Sequence, residues 1–75
     1  MVEVSKNGQT ITIEQGDKAI NFPASAVCAH ADKGSESVEI KLKASRKTII
    51  SFNYKEMNPT QGSSVEAVEY IANLV

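Results

Sequence analysis

Hydrophobic and polar residues alternate through the first part of the chain, and this alternation predicts three antiparallel strands. Two dipeptides interrupt the pattern, Asn7-Gly8 and Gly16-Asp17, and both are typical of the two-residue turns of β-hairpins. We therefore expect a three-stranded meander over residues 2–22. Its apolar face should carry Val2, Val4, Ile11, Ile13, Ile20 and Phe22.

The chemistry of the two turns predicts how these strands pair. As a type I′ turn, the first dipeptide places Val4 opposite Ile11. As a type II′ turn, which prefers glycine in first position, the second dipeptide places Ile13 opposite Ile20. It also places Ile11 opposite Phe22. Apolar residues then meet at the core positions, so the turn chemistry and the hydrophobic register agree.

A second alternating region predicts a β-hairpin over residues 38–54. A two-residue loop would place charged side chains opposite apolar ones, whereas the three-residue loop Ser45–Lys47 places Leu42 opposite Ile50. The pattern therefore predicts an odd-length loop or a β-bulge. No glycine is available for a left-handed position in this turn.

The segment between these two regions, residues 24–32, is ambiguous. Its alanines favour a helix, while Val27, Ala29 and Ala31 alternate as they would in a strand. We favour a turn followed by a short strand over residues 27–31, and a helix remains the alternative.

The last residues, 63–75, have the pattern of an amphipathic helix. Ser63 and Glu66 have the spacing of a capping box. The apolar residues at helical spacing are Val65, Val68, Ile71, Ala72 and Val75.

These elements predict one α+β domain over residues 1–75. We expect a strongly curled antiparallel sheet of five or six strands, shaped as a small open barrel, with the C-terminal helix packed on its apolar face. A chain of 75 residues buries only a small core, so a partner chain is the expected extra source of stability.

Composition removes several classes of function. Cys28 is the only cysteine, which excludes a disulfide within the chain and favours a reducing compartment. A single histidine and a single cysteine cannot complete a four-ligand zinc site without carboxylates. No segment has the length of a membrane span or the pattern of a signal peptide, so we expect a cytoplasmic protein without cofactor or metal.

The strongest candidate site is a basic stretch with four cations in a chain of net charge −1: Lys41, Lys43, Arg46 and Lys47. Cations in this density can bind phosphate and so nucleic acid. The expected position of Phe52 and Tyr54 on the core face leaves no outward aromatic platform for stacking bases. A solvated hairpin is therefore the favoured interpretation, and a nucleic-acid contact is the alternative.

The trio Cys28, His30 and Asp32 would project to one side of a strand and invites a nucleophile or metal interpretation. Residues that follow each other on one side of a single strand do not place a general base against a nucleophile, because the residues of a catalytic triad come from different parts of a fold. We favour a buried cysteine beside a satisfied histidine. No phosphate-binding loop, dinucleotide fingerprint or small-molecule site is evident, so we do not expect an enzyme.

Two groups of residues are candidates for contacts between chains. Ile49 is expected to point outward, next to Ser51, in an otherwise polar surface. Val2 and Val4 lie on the first strand, which could pair with another chain if it forms a free edge.

Three segments resemble small strand-rich proteins encoded by phages and prophages, over roughly residues 19–75: "INFPASAV", "SVEIKLKASRKTIISFNY" and "GSSVEAVEYIANLV". The resemblance implies a virion or assembly component that acts as a homo-oligomer, and it implies no catalytic residues.

We therefore expect a non-enzymatic protein–protein module whose partner is itself or another protein. The alternative is a small barrel that binds nucleic acid through residues 41–47. A regulatory inhibitor that covers a host enzyme fits the same sequence.

Overall fold

The computed structural model describes residues 1–75 and contains six strands, two short 3-10 turns and one α-helix. The elements are β1 (Val2–Asn7), β2 (Thr10–Gln15), β3 (Lys18–Pro23), a 3-10 turn (Ala24–Ala26), β4 (Val27–His30), β5 (Ser37–Leu42), β6 (Thr48–Asn53), a second 3-10 turn (Tyr54–Glu56) and α1 (Ser64–Leu74).

The six strands form two separate antiparallel sheets, so the α+β class is confirmed and the single curled sheet is wrong. The N-terminal sheet has the strand order β1-β2-β3, and the C-terminal sheet has the order β4-β5-β6. β3 ends at Pro23, and the turn Ala24–Ala26 then redirects the chain into the second sheet. A single bridge between Val2 and Met57 connects the two sheets, with the Asn58 N–H donating to the Val2 carbonyl at 2.8 Å. The strands therefore do not close into a barrel.

The pairing of β2 with β3 is the one that the second turn predicted. Ile13 lies opposite Ile20 and Ile11 lies opposite Phe22. Gly16 opens the two-residue turn with φ +63°, a left-handed conformation that glycine adopts without a steric cost.

The predicted pairing of β1 with β2 is wrong by two residues. Asn7 pairs with Thr10, so the turn residues are Gly8 and Gln9, and Val4 lies opposite Ile13 instead of Ile11. Gly8 has φ +63° and is the only residue of this turn with positive φ, as in a type II′ turn. Glycine therefore occupies the first turn position in both hairpins. A shift of two residues keeps every side chain on its expected face.

The hairpin of β5 and β6 has the predicted irregularity in a different register. The ladder shifts between Ile40 and Lys41, where β6 has the extra residue Ile49, and a five-residue loop joins the strands. Ile40 lies opposite Ile50, so the predicted pairing of Leu42 with Ile50 is wrong. The odd-length loop and the bulge are both confirmed.

Helix α1 begins at the predicted cap, and Ile71 and Val68 of the predicted stripe contact the core, but the rest of the buried face is displaced around the helix. The Ser63 hydroxyl accepts from the Glu66 N–H at 3.1 Å, while the Glu66 carboxylate accepts from the Gly62 N–H at 2.8 Å and not from that of Ser63. The buried residues are Ser64, Ala67 and Ile71. Of the predicted stripe, Val65 is 56% exposed, and Ala72 and Val75 are also exposed. The helix lies against β4, β5 and β1, where small residues allow close approach.

The core lies between the two sheets and the helix. Its buried apolar residues are Val2, Val4, Ile11, Ile13, Ala24, Val27, Val38, Ile40, Phe52, Met57, Ala67 and Ile71. α1 is the only α-helix, and it is too short to cross a membrane.

Candidate interaction surfaces

The basic stretch divides into two parts in the structure. Lys43, Arg46 and Lys47 lie in the loop between β5 and β6, are exposed and make no ion pair. We call residues 43–47 the basic loop. Lys41 lies on β5, is half-buried, and has its ammonium 3.7 Å from the carboxylate of Glu39. The structure therefore brings three of the four predicted cations together and pairs the fourth with an acid.

The backbone of the basic loop is held by hydrogen bonds to the end of β5. The Arg46 N–H donates to the Leu42 carbonyl at 2.9 Å, and the Leu42 N–H donates to the Lys47 carbonyl at 2.9 Å. Arg46 has φ +62°, the only positive φ of a residue other than glycine in the chain. A left-handed arginine is unfavourable because its Cβ crowds the backbone, and the tight turn imposes this conformation.

The opposite end of β6 carries an ion pair that is separate from the basic loop. The Lys55 ammonium lies 3.0 Å from the Glu36 carboxylate and 5.9 Å from the centroid of the Tyr54 ring. The hydrogen bond from Lys55 lowers the pKa of Glu36, with smaller contributions from Asn53 and from the charge of Lys55. The same hydrogen bond raises the pKa of Lys55.

Ile49 is not the outward-pointing residue that the alternation predicted. It is the extra residue of the bulge in β6, is half-buried and contacts the core cluster. A bulge places two residues opposite one, and this disrupts the alternation of side chains. Ser51 is exposed, with its hydroxyl 3.1 Å from that of Ser37.

Val2 and Val4 present no side-chain surface to a partner. Val2 is 0% exposed and Val4 is 4% exposed, because both side chains belong to the core. The free edge of β1 is also covered at its start, where the Val2 carbonyl accepts from Asn58.

The cluster of Cys28, His30 and Asp32 lies on the outer side of the C-terminal sheet. His30 Nε2 is 3.0 Å from Asp32 Oδ1, and both side chains are exposed. Cys28 is half-buried, not buried as expected, and lies opposite Lys41 in the neighbouring strand. No group of three or more His, Cys, Asp or Glu side chains could hold a metal ion.

The outer edge of β3 is a surface that the sequence did not reveal. In an antiparallel ladder, alternate residues direct their N–H and C=O groups to one neighbour. Lys18 closes the turn with Gln15, and at the far end the Ala24 N–H donates to the Gln9 carbonyl at 2.8 Å. Ala19 and Asn21 alternate with the residues that bond to β2. Their backbone N–H and C=O groups therefore point away from β2.

No other strand pairs with this edge, and Ala19, Asn21 and Pro23 are exposed. The backbone nitrogen of Pro23 also points away from β2, so its missing N–H removes no hydrogen bond between β2 and β3. This proline was the one sequence signal for an edge strand.

The inner side of β3 is only partly covered by the core. Ile20 and Phe22 are half-buried, and Phe22 packs against the core cluster. An open cleft of about 440 Å³ lies beside the end of the strand. It is lined by Lys6, Gln9, Thr10, Pro23, Ala24, Ser25 and Val75. The β3 edge thus combines free backbone groups with incompletely buried apolar side chains.

The outer face of the N-terminal sheet is polar and acidic. Glu3 and Glu14 lie directly opposite each other on β1 and β2. Glu14 is exposed, while Glu3 accepts a hydrogen bond from the Asn58 amide at 2.7 Å. A shallow cleft of about 160 Å³ lies between them, lined by Met1, Glu3, Glu14 and Gly16.

Comparison with known proteins finds no matching family model, curated protein or solved structure.

Proposed function

We propose that this chain is a non-enzymatic protein–protein interaction module that self-assembles as a homo-oligomer. The phage resemblance supports the more specific role of a virion or assembly component, acting in the cytoplasm of the producing cell or within the virion. The observation that carries the proposal is the open edge of β3, where Ala19 and Asn21 have backbone groups without a partner strand.

An open strand edge is a template for pairing with another chain. Two β3 strands related by a two-fold axis at Ile20 place Ala19 of one copy opposite Asn21 of the second copy. Both residues direct their N–H and C=O groups outward, so each such pair exchanges hydrogen bonds. Pro23 lies outside these pairs, and its missing N–H removes no bond from them.

The same arrangement buries apolar surface that one copy leaves exposed. Ile20 meets Ile20 of the second copy at the axis, and the half-buried Phe22 lies beside the contact. Burial contributes roughly 25 cal/mol for each Å² of apolar surface removed from water. A second copy therefore extends a core that is small in a chain of 75 residues.

The test is the solution mass measured by size-exclusion chromatography with light scattering over a wide range of protein concentration. At high salt, which screens contacts between exposed charges, we expect an oligomer for the native chain and a monomer for Ala19→Pro, because proline removes the outward N–H and leaves the ladder with β2 intact. Ser51→Pro is the matched variant on β6, an outer strand of the C-terminal sheet, and it should remain oligomeric.

Each alternative result has a definite meaning for the proposal. A native chain that is monomeric at every concentration contradicts self-assembly and leaves a different protein as the partner. Dissociation by Ser51→Pro but not by Ala19→Pro transfers the contact from β3 to β6. Far-UV circular dichroism of both variants establishes that they are folded.

Binding of nucleic acid is the second candidate function, and one observation favours it. Lys43, Arg46 and Lys47 are exposed cations without acidic partners on one loop. If this loop neutralises phosphates, affinity for a labelled single-stranded DNA should fall steeply as salt is raised. The double variant Lys43→Ala, Arg46→Ala should then bind more weakly and with a shallower salt dependence. Lys41→Ala is the control, since Lys41 is already paired with Glu39.

A further inference from the structure

Two surfaces of this chain carry charges of opposite sign without ion-pair partners, although each sheet also carries charges of the other sign. The basic loop of the C-terminal sheet carries Lys43, Arg46 and Lys47, none of which has an ion-pair partner. The outer face of the N-terminal sheet carries Glu3 and Glu14, which also make no ion pair. The other residues on this face of β1 and β2 are small and polar, and the exposed Met1 lines the cleft at its side.

These two surfaces cannot meet within one chain. Glu3 is hydrogen-bonded to Asn58, which follows β6 and its 3-10 turn, whereas the basic loop precedes β6. The strand β6 has six residues and so spans roughly 20 Å. The longest dimension of the Cα trace is 29 Å, so the basic loop and the acidic face lie near opposite ends of the molecule.

The acidic face has an unfavourable arrangement in the isolated chain. Like charges placed directly opposite each other on neighbouring strands are destabilising. Glu3 and Glu14 have this arrangement, and the cleft between them opens to solvent. A cation that enters the cleft converts the repulsion into two attractions, and a guanidinium can donate to both carboxylates.

We propose that the basic loop of one copy docks on the outer face of the N-terminal sheet of a second copy, with Arg46 between Glu3 and Glu14. Charge complementarity identifies the second copy as the occupant, since each copy carries both a basic and an acidic surface without intramolecular partners. Arg46 is suited to this contact because the turn holds it at the end of the loop, bonded through its N–H to Leu42.

This contact goes beyond the proposed pairing of β3 and does not depend on it. Pairing at the β3 edge leaves the outer face of the N-terminal sheet and the basic loop free. Docking of a loop on a different surface is a heterologous contact, which propagates into rings or open chains. Two-fold pairing at β3 together with this docking produces an assembly larger than a dimer.

The test uses charge reversal and mixing of the full chain. Arg46→Glu and Glu14→Arg should each raise the dissociation constant of the salt-sensitive contact by roughly tenfold. An equimolar mixture of the two variants should restore high-mass species, because a reversed loop then meets a reversed face. The readout is light scattering after size-exclusion chromatography at low and at high salt.

Matched controls separate this contact from a general effect of net charge. Lys33→Glu and Glu69→Arg change the charge by the same amounts at exposed positions outside both surfaces, and they should assemble as the native chain does. The variant Ala19→Pro should retain the salt-sensitive association, which distinguishes failure of this contact from failure of β3 pairing. High salt should leave β3-paired dimers and remove the larger species.

Three results would overturn the inference. The first is a mixture of Arg46→Glu and Glu14→Arg that does not assemble although the native chain does. The second is an equal effect of Lys33→Glu and Arg46→Glu. The third is an Arg46→Glu variant that assembles as the native chain does but has lost affinity for labelled single-stranded DNA. That result would mean that the basic loop binds nucleic acid and not a second copy.

Discussion

The two sheets of this protein have the same number of strands but differ in regularity. In the N-terminal sheet, Gly8 and Gly16 open both turns, and the ladders continue without a bulge. In the C-terminal sheet, the loop between β5 and β6 has no glycine, Arg46 adopts the left-handed conformation, and the ladder shifts at Ile40. The difference shows how strongly the position of a glycine determines the regularity of a short sheet.

Regularity also determines which edges are available for association. The bulge at Ile49 interrupts the alternation on β6, and bulges on edge strands discourage stray pairing. The other outer strand of this sheet, β4, lies beneath α1. The regular strand β3 has neither form of protection apart from Pro23 at its end. We therefore expect strand pairing between chains at the N-terminal sheet and charge-dependent contacts at the basic loop of the C-terminal sheet.

The largest expected effect tests whether the two sheets share one core. Ile13 and Ile40 are each almost fully buried, one on the central strand of each sheet. Truncation to alanine removes buried methyl groups and leaves a cavity, so each variant should lower the free energy of unfolding by about 2–5 kcal/mol. Urea denaturation followed by far-UV circular dichroism and tyrosine fluorescence provides the measurement.

Coincident transitions for both probes, in both variants, would mean that the sheets unfold together. Glu14→Ala is the control at an exposed position beside Ile13 and should change stability by less than about 0.5 kcal/mol. Separate transitions for the two probes would contradict a shared core.

The turns allow a matched comparison of the two sheets in opposite directions. Gly16→Ala places a Cβ at φ +63° and should destabilise the N-terminal sheet by about 1 kcal/mol. Arg46→Gly removes a Cβ at φ +62° and should stabilise the protein, raising the free energy of unfolding by less than about 1 kcal/mol. Thermal unfolding of both variants and of Arg46→Ala, which retains the Cβ, measures the difference. A destabilised Arg46→Gly with a native-like Arg46→Ala would contradict backbone strain at this position.

The cap of α1 tests how far the C-terminal sheet depends on the helix that covers it. The Ser63 hydroxyl accepts from the Glu66 N–H, so Ser63→Ala leaves that donor without its partner. The expected loss is about 1 kcal/mol in the free energy of unfolding, measured by urea denaturation. Thr60→Ala, at an exposed position outside the helix, should have no measurable effect. Equal effects of the two variants would mean that the cap does not stabilise the helix.

The registers show which parts of the fold the sequence determines. At the second turn, Gln15 precedes Gly16 and tolerates positive φ less well than asparagine, so glycine is expected in the first position of a type II′ turn, and the pairing of β2 with β3 could be predicted. At the first turn, Gly8 fits the second position of a type I′ turn or the first of a type II′ turn. These alternatives differ by two residues, and the hydrophobic pattern has a period of two, so it cannot distinguish them.

The same ambiguity explains the register of β5 and β6, and the other differences have separate causes. The shift in β5 and β6 is again two residues, and the bulge that accompanies it turns Ile49 towards the core. In α1, Ala67 is buried where a search for large apolar residues selects Val65. The open edge of β3 depends on the order of strands, which is a property of the whole fold. Of the candidate surfaces, the sequence shows the density of cations in the basic loop, and for the β3 edge it shows only Pro23.

The smallest expected effect concerns the ion pair of Glu36 and Lys55 on the C-terminal sheet. Because folding lowers the pKa of Glu36, its stabilising contribution is present above its ordinary value of 4.5 and is lost as the pH falls through the folded value. Because folding raises the pKa of Lys55, the contribution of the lysine is present below 10.5 and is lost as the pH rises through its folded value. The pair is therefore complete at neutral pH. Glu36→Gln should remove a small part of the stability at pH 7, and this difference should decrease as the pH falls from 4.5 towards about 3.

Both side chains of this pair are exposed, so salt should reduce the effect further. Glu69→Gln, on the exposed side of α1, replaces a glutamate that makes no ion pair and should leave the response of the melting temperature to acid unchanged. Melting temperatures at the two pH values, at low and high salt, provide the measurement. If Glu36→Gln and the native chain lose the same stability on acidification, the pair contributes nothing, and the C-terminal sheet is stabilised by its core and by α1 alone.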